Sequence, residues 1–369
     1  MKSTKFLILT SVLAMGGLSM TSAHAAAEDA KGAVFVMTNA AEDNQVAAFI
    51  REEDGSLLPA GEFSTGGNGS GGTVDPLHSQ GSLRLSQDHR LLFAVNAGSG
   101  TVSSFSVDGP SLTLVDTKPS GGSSPTAVAQ SGDLLYVLNS GGNGNVSGLR
   151  VEEDGYLRPI KNSTRNLSAT ATAPTSLAFS PDRQFLVVTE TATNKIDVFR
   201  VLEDGTLSGI TVNASSGAVP FAPLFAPNGA LIVANASNSI SSYAVLPNST
   251  LSVISASLPT LGAATCWDVI TAHGRSIYTS NAGSSTISGF AIGHGGALTS
   301  IGTTVVGANP AGSTNLDIAA SADGKFVYTL NTAAGAIGIF SVDHDGTLLG
   351  LGTVDGLAAS AGMNGIAAY

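Results

Sequence analysis

A short apolar segment that ends in a polar residue recurs seven times, and this repeat limits the fold more than any other feature of the 369-residue chain. The polar ends lie about 49 residues apart on average, which is within the range of β-propeller blades and longer than leucine-rich or ankyrin repeats. The seven segments are residues 34–39, 91–96, 134–139, 185–190, 231–235, 277–281 and 326–331.

The residues that follow each segment favour strands over helices. A Val or Ile is followed three positions later by an aromatic residue or Leu, as in Val102 and Phe105. Glycines and β-branched residues interrupt this spacing within about eight positions, whereas a helix requires it to persist over several turns. In five copies an Asp-Gly pair comes next, and the other two have Asn248-Ser249 and Gly295-Gly296, so each copy predicts a tight hairpin.

The two ends of the chain indicate how the repeats close. Copies two to seven have an additional strand before the recurring segment, as at residues 175–179 in copy four, but copy one lacks it. Residues 363–369 have the pattern of such a strand with nothing after them. Pairing the C-terminal strand with the first copy removes unpaired sheet edges. We therefore predict an all-β fold, a single domain over residues 26–369 that forms a seven-bladed β-propeller closed by the C-terminal strand.

The first 25 residues have the features of a secretory signal peptide. Lys2 and Lys5 precede an apolar run over residues 6–20, and Ala23, His24 and Ala25 form a small-residue cleavage site. We expect residues 1–25 to be removed and the mature protein to be secreted, either extracellular or periplasmic. No later apolar run is long enough to span a membrane, so we expect no transmembrane segment.

Charge and cysteine content exclude several classes of partner. The chain has 16 Lys and Arg against 27 Asp and Glu, for a net charge of −11, and it has no basic cluster, so nucleic acid is not an expected partner. The single cysteine, Cys266, excludes an intramolecular disulfide framework and a thiolate metal site. We expect a monomer.

Residues 174–184, PTSLAFSPDRQ, and residues 185–207, FLVVTETATNKIDVFRVLEDGTL, resemble the lactonase family of seven-bladed propellers, which includes 6-phosphogluconolactonase and carboxymuconate cyclase. The resemblance implies a lactone hydrolase or a muconate-type cyclase. It also implies inner strands that open with Pro followed by His and Arg, and a Glu at the end of a second strand. Glu190 matches that Glu, but the strands after Pro125 and Pro174 contain neither His nor Arg.

The channel mouth of a propeller gathers the start of one inner strand from each blade, and this places a set of polar residues there. We expect Glu190 and Arg84 to be catalytic there. The predicted ligand-binding residues are Trp267, Asp268, Asn315, Asp317 and Asn364.

Two interpretations of this set remain open. Asp268, Asp317 and Glu190 can hold a divalent cation through oxygen ligands, or bind a polyhydroxylated ligand on which Trp267 stacks. Alternatively, the Asp and Asn side chains bond backbone groups of the next blade. Beyond such a cation, no cofactor is expected.

Two classes of function follow. The first is a secreted lactone hydrolase or cyclase that acts at the channel mouth, where Glu190 activates water with help from Arg84 or the Asp pair. The second is a non-catalytic surface propeller that binds a glycan or a protein. Similarity to propellers with Tyr-Val-Thr-Asn repeats, seen in residues 136–139 and 328–331, supports the second class. The expected small-molecule partner is a lactone or a carbohydrate.

Overall fold

Seven antiparallel sheets surround a central axis in a computed structural model that describes residues 32–369. The inner strands contact one another around a closed ring, and the described residues contain strands and turns but no helix. This confirms the predicted all-β, seven-bladed propeller. The predicted signal peptide, residues 1–25, lies outside the described residues.

The strands follow the chain blade by blade, each blade running from the axis to the rim. Blade 1 contains β1 (Ala33–Met37), β2 (Gln45–Arg51) and β3 (Leu57–Ser64), and blade 2 contains β4 (Leu83–Leu85), β5 (Leu91–Asn96), β6 (Thr101–Asp108) and β7 (Ser111–Pro119). Blade 3 contains β8 (Pro125–Ser131), β9 (Leu134–Asn139), β10 (Asn145–Val151), β11 (Leu157–Pro159) and β12 (Arg165–Asn166). Blade 4 contains β13 (Pro174–Phe179), β14 (Phe185–Glu190), β15 (Lys195–Arg200) and β16 (Thr211–Ala214). Blade 5 contains β17 (Pro220–Phe225), β18 (Leu231–Asn235), β19 (Ser239–Val245) and β20 (Leu251–Pro259). Blade 6 contains β21 (Thr265–Ile270), β22 (Ser276–Asn281), β23 (Thr286–Ile292) and β24 (Leu298–Ala308). Blade 7 contains β25 (Asn315–Ala320), β26 (Phe326–Asn331), β27 (Ala336–Val342) and β28 (Leu348–Asp355), and β29 (Ile366–Ala368) returns to blade 1.

The C-terminal strand closes the ring as predicted. β29 pairs antiparallel with β1, with Val36 opposite Ile366 and Val34 opposite Ala368, and so supplies the inner strand of blade 1. The strand is shorter than predicted because Gly365, just before it, has a φ of 88°. A Cβ at Gly365 would lie 2.6 Å from Ser82 Oγ, so this backbone passes too close to blade 2 for any larger residue.

The hydrophobic core lies between neighbouring blades. The second strands are buried along almost their whole length, as in β1 and β9, because both faces of each sheet pack against another sheet. The hairpin turns at the rim are tied to the adjacent blade by buried tyrosines. Tyr278 Oη donates to Gly346 O at 2.7 Å and Tyr136 Oη to Gly205 O at 2.8 Å.

We expect Ile366→Ala to destabilise the protein through the closing strand. Ile366 is buried against blades 1 and 7, so the substitution should cost about 2–4 kcal/mol of unfolding free energy. The exposed Leu349→Ala is the control and should stay within about 0.5 kcal/mol of wild type. If denaturant unfolding shows the same loss of unfolding free energy in both variants, the claim that the closing strand stabilises the protein is contradicted.

Candidate functional site

The side chain and backbone of Gln80 lie across one end of the central channel and bond the inner strands of two blades beyond its own. Its N–H donates to Thr175 O at 3.2 Å and its carbonyl accepts from Ser176 Oγ at 2.8 Å, both in blade 4. On blade 6, Gln80 Nε2 donates to Asp268 O at 2.6 Å, and Asp268 N–H donates to Gln80 Oε1 at 3.2 Å. The side-chain amide of Gln80 therefore forms a pair of hydrogen bonds with the Asp268 backbone, as the backbone of a neighbouring strand would.

The residues on either side of Gln80 complete this crossing, and we call Ser79–Gly81 the plug. Ser79 Oγ donates to Thr126 O at 2.8 Å, and Ser79 O accepts from Trp267 Nε1 at 2.9 Å. Gly81 O accepts from Val128 N–H at 2.9 Å. Gly81 has a φ of 92°, which allows the chain to turn from the plug into β4.

Below the plug, one residue from each inner strand occupies an equivalent register position, and we call these seven residues the channel ring. Six members are apolar and the seventh is Arg84, whose long side chain comes from blade 2. The channel ring consists of Arg84, Ala129, Ala178, Leu224, Val269, Ala319 and Ile366.

Two cavities occupy this part of the channel, and they share Arg84, Leu85 and Gln87 of blade 2 and Leu224 of blade 5. We call these four residues the septum. The acid lobe, about 320 Å³, lies on the side of blades 6, 7 and 1 and contains Asp268 and Asp317. The aromatic lobe, about 350 Å³, lies on the side of blades 3, 4 and 5.

Both lobes open at the end of the channel opposite the plug. Their lining includes the exposed Gln87 and the half-buried residues Leu224, Phe225 and Ala320, at or just beyond the ends of inner strands. The residues nearest the plug, such as Asp268, are buried. The accessible mouth is therefore where the inner strands end, whereas the sequence placed the site where they begin.

Asp268 is buried in the acid lobe without a hydrogen-bond partner for its side chain. It is 1% exposed, and neither carboxyl oxygen meets a donor within the described part of the chain. Burial raises the pKa of Asp268 well above its usual range, Asp317 raises it further, and Arg84 opposes the shift. Burial thus favours the neutral form of the carboxyl, and its two unpartnered oxygens are available to bond a ligand.

Asp317 faces the same lobe but is held by the backbone. Its Oδ1 accepts from Ile318 N–H at 2.8 Å and its Oδ2 from Ile366 N–H at 3.1 Å. Burial raises the pKa of Asp317 to about 7, although both hydrogen bonds and Arg84 oppose this shift. Asp317 therefore titrates near neutrality, at a higher pH than an ordinary aspartate.

Arg84 lies directly below the plug. A Cβ at Gly81 would be 3.2 Å from Arg84 Nη2, and Arg84 Nε is buried with no hydrogen-bond partner among residues 32–369. Burial lowers the pKa of Arg84, while Asp317 and Asp268 counteract the shift. The site thus holds one guanidinium and two carboxyls, with donor and acceptor atoms left free.

Three other predicted site residues lie outside the lining of both lobes. Trp267 is 2% exposed and packs edge-on against Phe221, so its ring has no free face on which a ligand could stack. Asn315 Nδ2 donates to Thr286 O at 3.0 Å, a backbone group of the preceding blade 6 rather than of the next blade. Asn364 Nδ2 donates to Asp75 Oδ1 at 3.0 Å.

Glu190 is buried at the end of β14, away from both lobes. Its Oε1 accepts from Ser168 N–H at 2.9 Å, and its Oε2 accepts from Ser168 Oγ and Thr193 Oγ1, each at 2.5 Å. The equivalent Asn96 and Asn281 of other blades bond a serine on the next strand, and blade 4 has Asp197 at that serine's position.

Within the described residues, no group of three or more His, Cys, Asp or Glu side chains is placed to hold a metal ion. The cation set predicted from the sequence is divided, since Asp268 and Asp317 share the acid lobe and Glu190 does not. No helix in residues 32–369 is long and apolar enough to cross a membrane.

Comparison with known proteins agrees with this architecture. The family model described as "Lactonase, 7-bladed beta-propeller" matches residues 70–354. The chain belongs to the lactonase family of seven-bladed propellers. No curated protein matches the sequence.

Solved structures similar to this lactonase-family chain share its fold. A periplasmic gluconolactonase from Pseudomonas aeruginosa is 21% identical with a TM-score of 0.68, over 90% of this chain and 98% of that one. A candidate 6-phosphogluconolactonase from Bacteroides uniformis ATCC 8492 is 20% identical with a TM-score of 0.70, over 92% and 99%. A Lactobacillus plantarum protein is 19% identical with a TM-score of 0.71, over 91% and 98%.

Sequence reasoning missed the plug and the aromatic lobe of this lactonase-family propeller. The signal for the plug was weak, because Ser79–Gly81 precedes β4 in a segment with no strand periodicity. The signal for the lobe was present, since Phe179 and Phe225 end the inner strands of two consecutive blades. Their equivalents, Gln130 and Ala320, are not aromatic.

We expect Asp197→Ser to stabilise the protein at alkaline pH and to have little effect at acid pH. Burial, and then the adjacent Glu190, raise the pKa of Asp197 to about 9. A carboxyl with a raised pKa contributes its full stability below about pH 4 and loses it as pH rises toward 9, because the unfolded chain ionises first. The serine should add about 1–3 kcal/mol at pH 8.

Thermal unfolding at pH 4 and pH 8 measures this difference, with the exposed Asp343→Asn as control. A gain from Asp197→Ser that is the same at both pH values would show that burial of the Glu190 and Asp197 pair is not its cause.

Proposed function

We propose that this propeller hydrolyses a lactone in the acid lobe, with Asp317 as general base, Arg84 as oxyanion donor and Asp268 as general acid. The observation that carries the proposal is that one cavity contains a guanidinium with an unpartnered Nε and a buried carboxyl with two unpartnered oxygens. Charged groups that are buried without a partner and also line a cavity are candidates to bond a ligand.

The two carboxyls have the complementary protonation states that ester hydrolysis requires. A general base is most effective when its pKa is near the working pH, and the pKa of Asp317 is raised to about 7. Burial raises the pKa of Asp268 and so favours its protonated form, which can donate the proton. Different environments give two aspartates of one lobe different roles.

The reaction follows from these states. Water attacks the lactone carbonyl carbon as its proton passes to the Asp317 carboxylate, and the carbonyl oxygen becomes an oxyanion next to Arg84. The bond between the carbonyl carbon and the ring oxygen then breaks as that oxygen takes the Asp268 proton. The product is an open-chain hydroxy acid, and proton exchange with solvent restores both aspartates.

Hydrolysis fits the acid lobe better than muconate-type cyclisation does. A dicarboxylate substrate would bring two negative charges into a lobe with two carboxyls and one guanidinium, whereas a lactone is uncharged at its reacting group. A polyhydroxylated ligand stacked on Trp267 is not supported, because that ring is buried. The basic and apolar segments before Ala25 support the further proposal that the protein acts outside the cytoplasm.

We expect Asp317→Asn to lower kcat/KM by about 10²–10⁴-fold and Arg84→Met by about 10²–10³-fold, because they remove the base and the oxyanion donor. The measurement is hydrolysis of simple γ- and δ-lactones by the purified protein between pH 5 and 8. Wild-type kcat/KM should rise with pH and level off above about 7, as Asp317 ionises.

Two further variants make the result specific. Glu42→Gln changes an exposed carboxyl and should retain wild-type activity. Glu190→Gln tests the alternative in which the Glu of the family pattern is the base, and on our proposal it affects activity far less than Asp317→Asn. Loss of hydrolysis with Glu190→Gln but not with Asp317→Asn would contradict the proposed base.

A further inference from the structure

The aromatic lobe differs from the acid lobe in the state of its polar groups. Gln130 Nε2 bonds Gly132 O, and Ser180 Oγ donates to Asp182 Oδ1 at 2.6 Å, so these side chains are paired within their own turns. Arg84, in the septum, is the one charged residue in its described lining. Gln87 and Ser131 add further polar groups, so polar groups and apolar side chains both face this lobe.

Apolar side chains form the wall of this lobe. Phe179 and Phe225 come from adjacent blades and are both half-buried, together with Leu224 of the septum, and Leu177 lies behind them. Apolar surface of this kind favours a ligand that removes it from water. Ligand pockets commonly combine such walls with a few polar groups that fix the orientation.

Arg84 connects the two lobes. Its side chain lines both cavities, so a ligand whose carbonyl oxygen accepts a hydrogen bond from the guanidinium has the acid lobe on one side and the aromatic lobe on the other. The reacting ring needs the two aspartates, so the rest of the ligand extends past the septum toward Phe179 and Phe225.

We propose that the substrate is a lactone with an apolar arm: the ring occupies the acid lobe and an alkyl or acyl arm occupies the aromatic lobe. This inference rests on the proposed hydrolysis for its account of the ring, while the arm is argued from the second lobe alone. A lactone without an arm would leave the accessible parts of Phe179 and Phe225 in water.

The test compares γ-butyrolactone, γ-hexalactone, γ-octalactone and γ-decalactone, which differ only in the length of a saturated arm. Each methylene that becomes buried should raise kcat/KM by about threefold to fourfold. We therefore expect at least about a tenfold gain from γ-butyrolactone to γ-octalactone. Equal kcat/KM across the series, with hydrolysis retained, would overturn the inference and leave the proposed function standing.

Two matched variants of the channel ring locate the arm. Ala178→Leu adds volume to the aromatic lobe and should lower the ratio of kcat/KM for γ-octalactone over γ-butyrolactone by at least about fivefold. Ala319→Leu makes the same change in the acid lobe and should lower both values together. If Ala178→Leu does not fold, Ala129→Leu at the equivalent position of blade 3 serves instead. An unchanged ratio in a folded aromatic-lobe variant contradicts the assignment.

Binding separates this inference from the proposed chemistry. Lactams with the same alkyl arms resist hydrolysis, and calorimetry should show affinity that rises with arm length and a more negative heat-capacity change on binding. If the lactams bind with this dependence but the lactones are not hydrolysed, the apolar arm is supported and the proposed function is overturned. Lactam affinity independent of arm length would overturn the arm.

Discussion

The site depends on the plug, and above all on the hydrogen bonds of Gln80 across the channel. A propeller channel left open at both ends would admit water throughout. Because the backbone and side chain of Gln80 bond blades 4 and 6 together, the plug closes one end of the channel. The channel is therefore open at the opposite end only, and Arg84, Asp268 and Asp317, which lie next to the plug, are removed from bulk water.

Removal from water accounts for the unequal behaviour of the two aspartates. Burial raises the pKa of each, but backbone N–H groups of Ile318 and Ile366 bond the Asp317 carboxylate and limit its rise. The Asp268 carboxyl makes no such hydrogen bond among the described residues, and Arg84 and the nearby Ala234 backbone only partly oppose the effect of burial. On the proposed mechanism, one acid and one base thus arise from the same residue type.

The sequence predicted the architecture closely because strands, turns and repeat length are local signals. The predicted inner strand at 175–179 is observed as β13 (Pro174–Phe179), and Gly55 and Gly346 of the predicted hairpin turns have φ values of 86° and 84°. Long-range contacts were not predictable in this way. Alternate strand residues point to opposite sides, so sequence order alone could not show that Asp268 faces the lobe while Trp267 is buried.

The most direct test of the account is a crystal structure of the protein soaked with the lactam that matches γ-octalactone. We predict density for the lactam ring in the acid lobe, its carbonyl oxygen within hydrogen-bonding distance of Arg84, and the alkyl arm beside Phe179 and Phe225. Density for the lactam at the opposite end of the channel, on the far side of Gln80, would contradict the central claim.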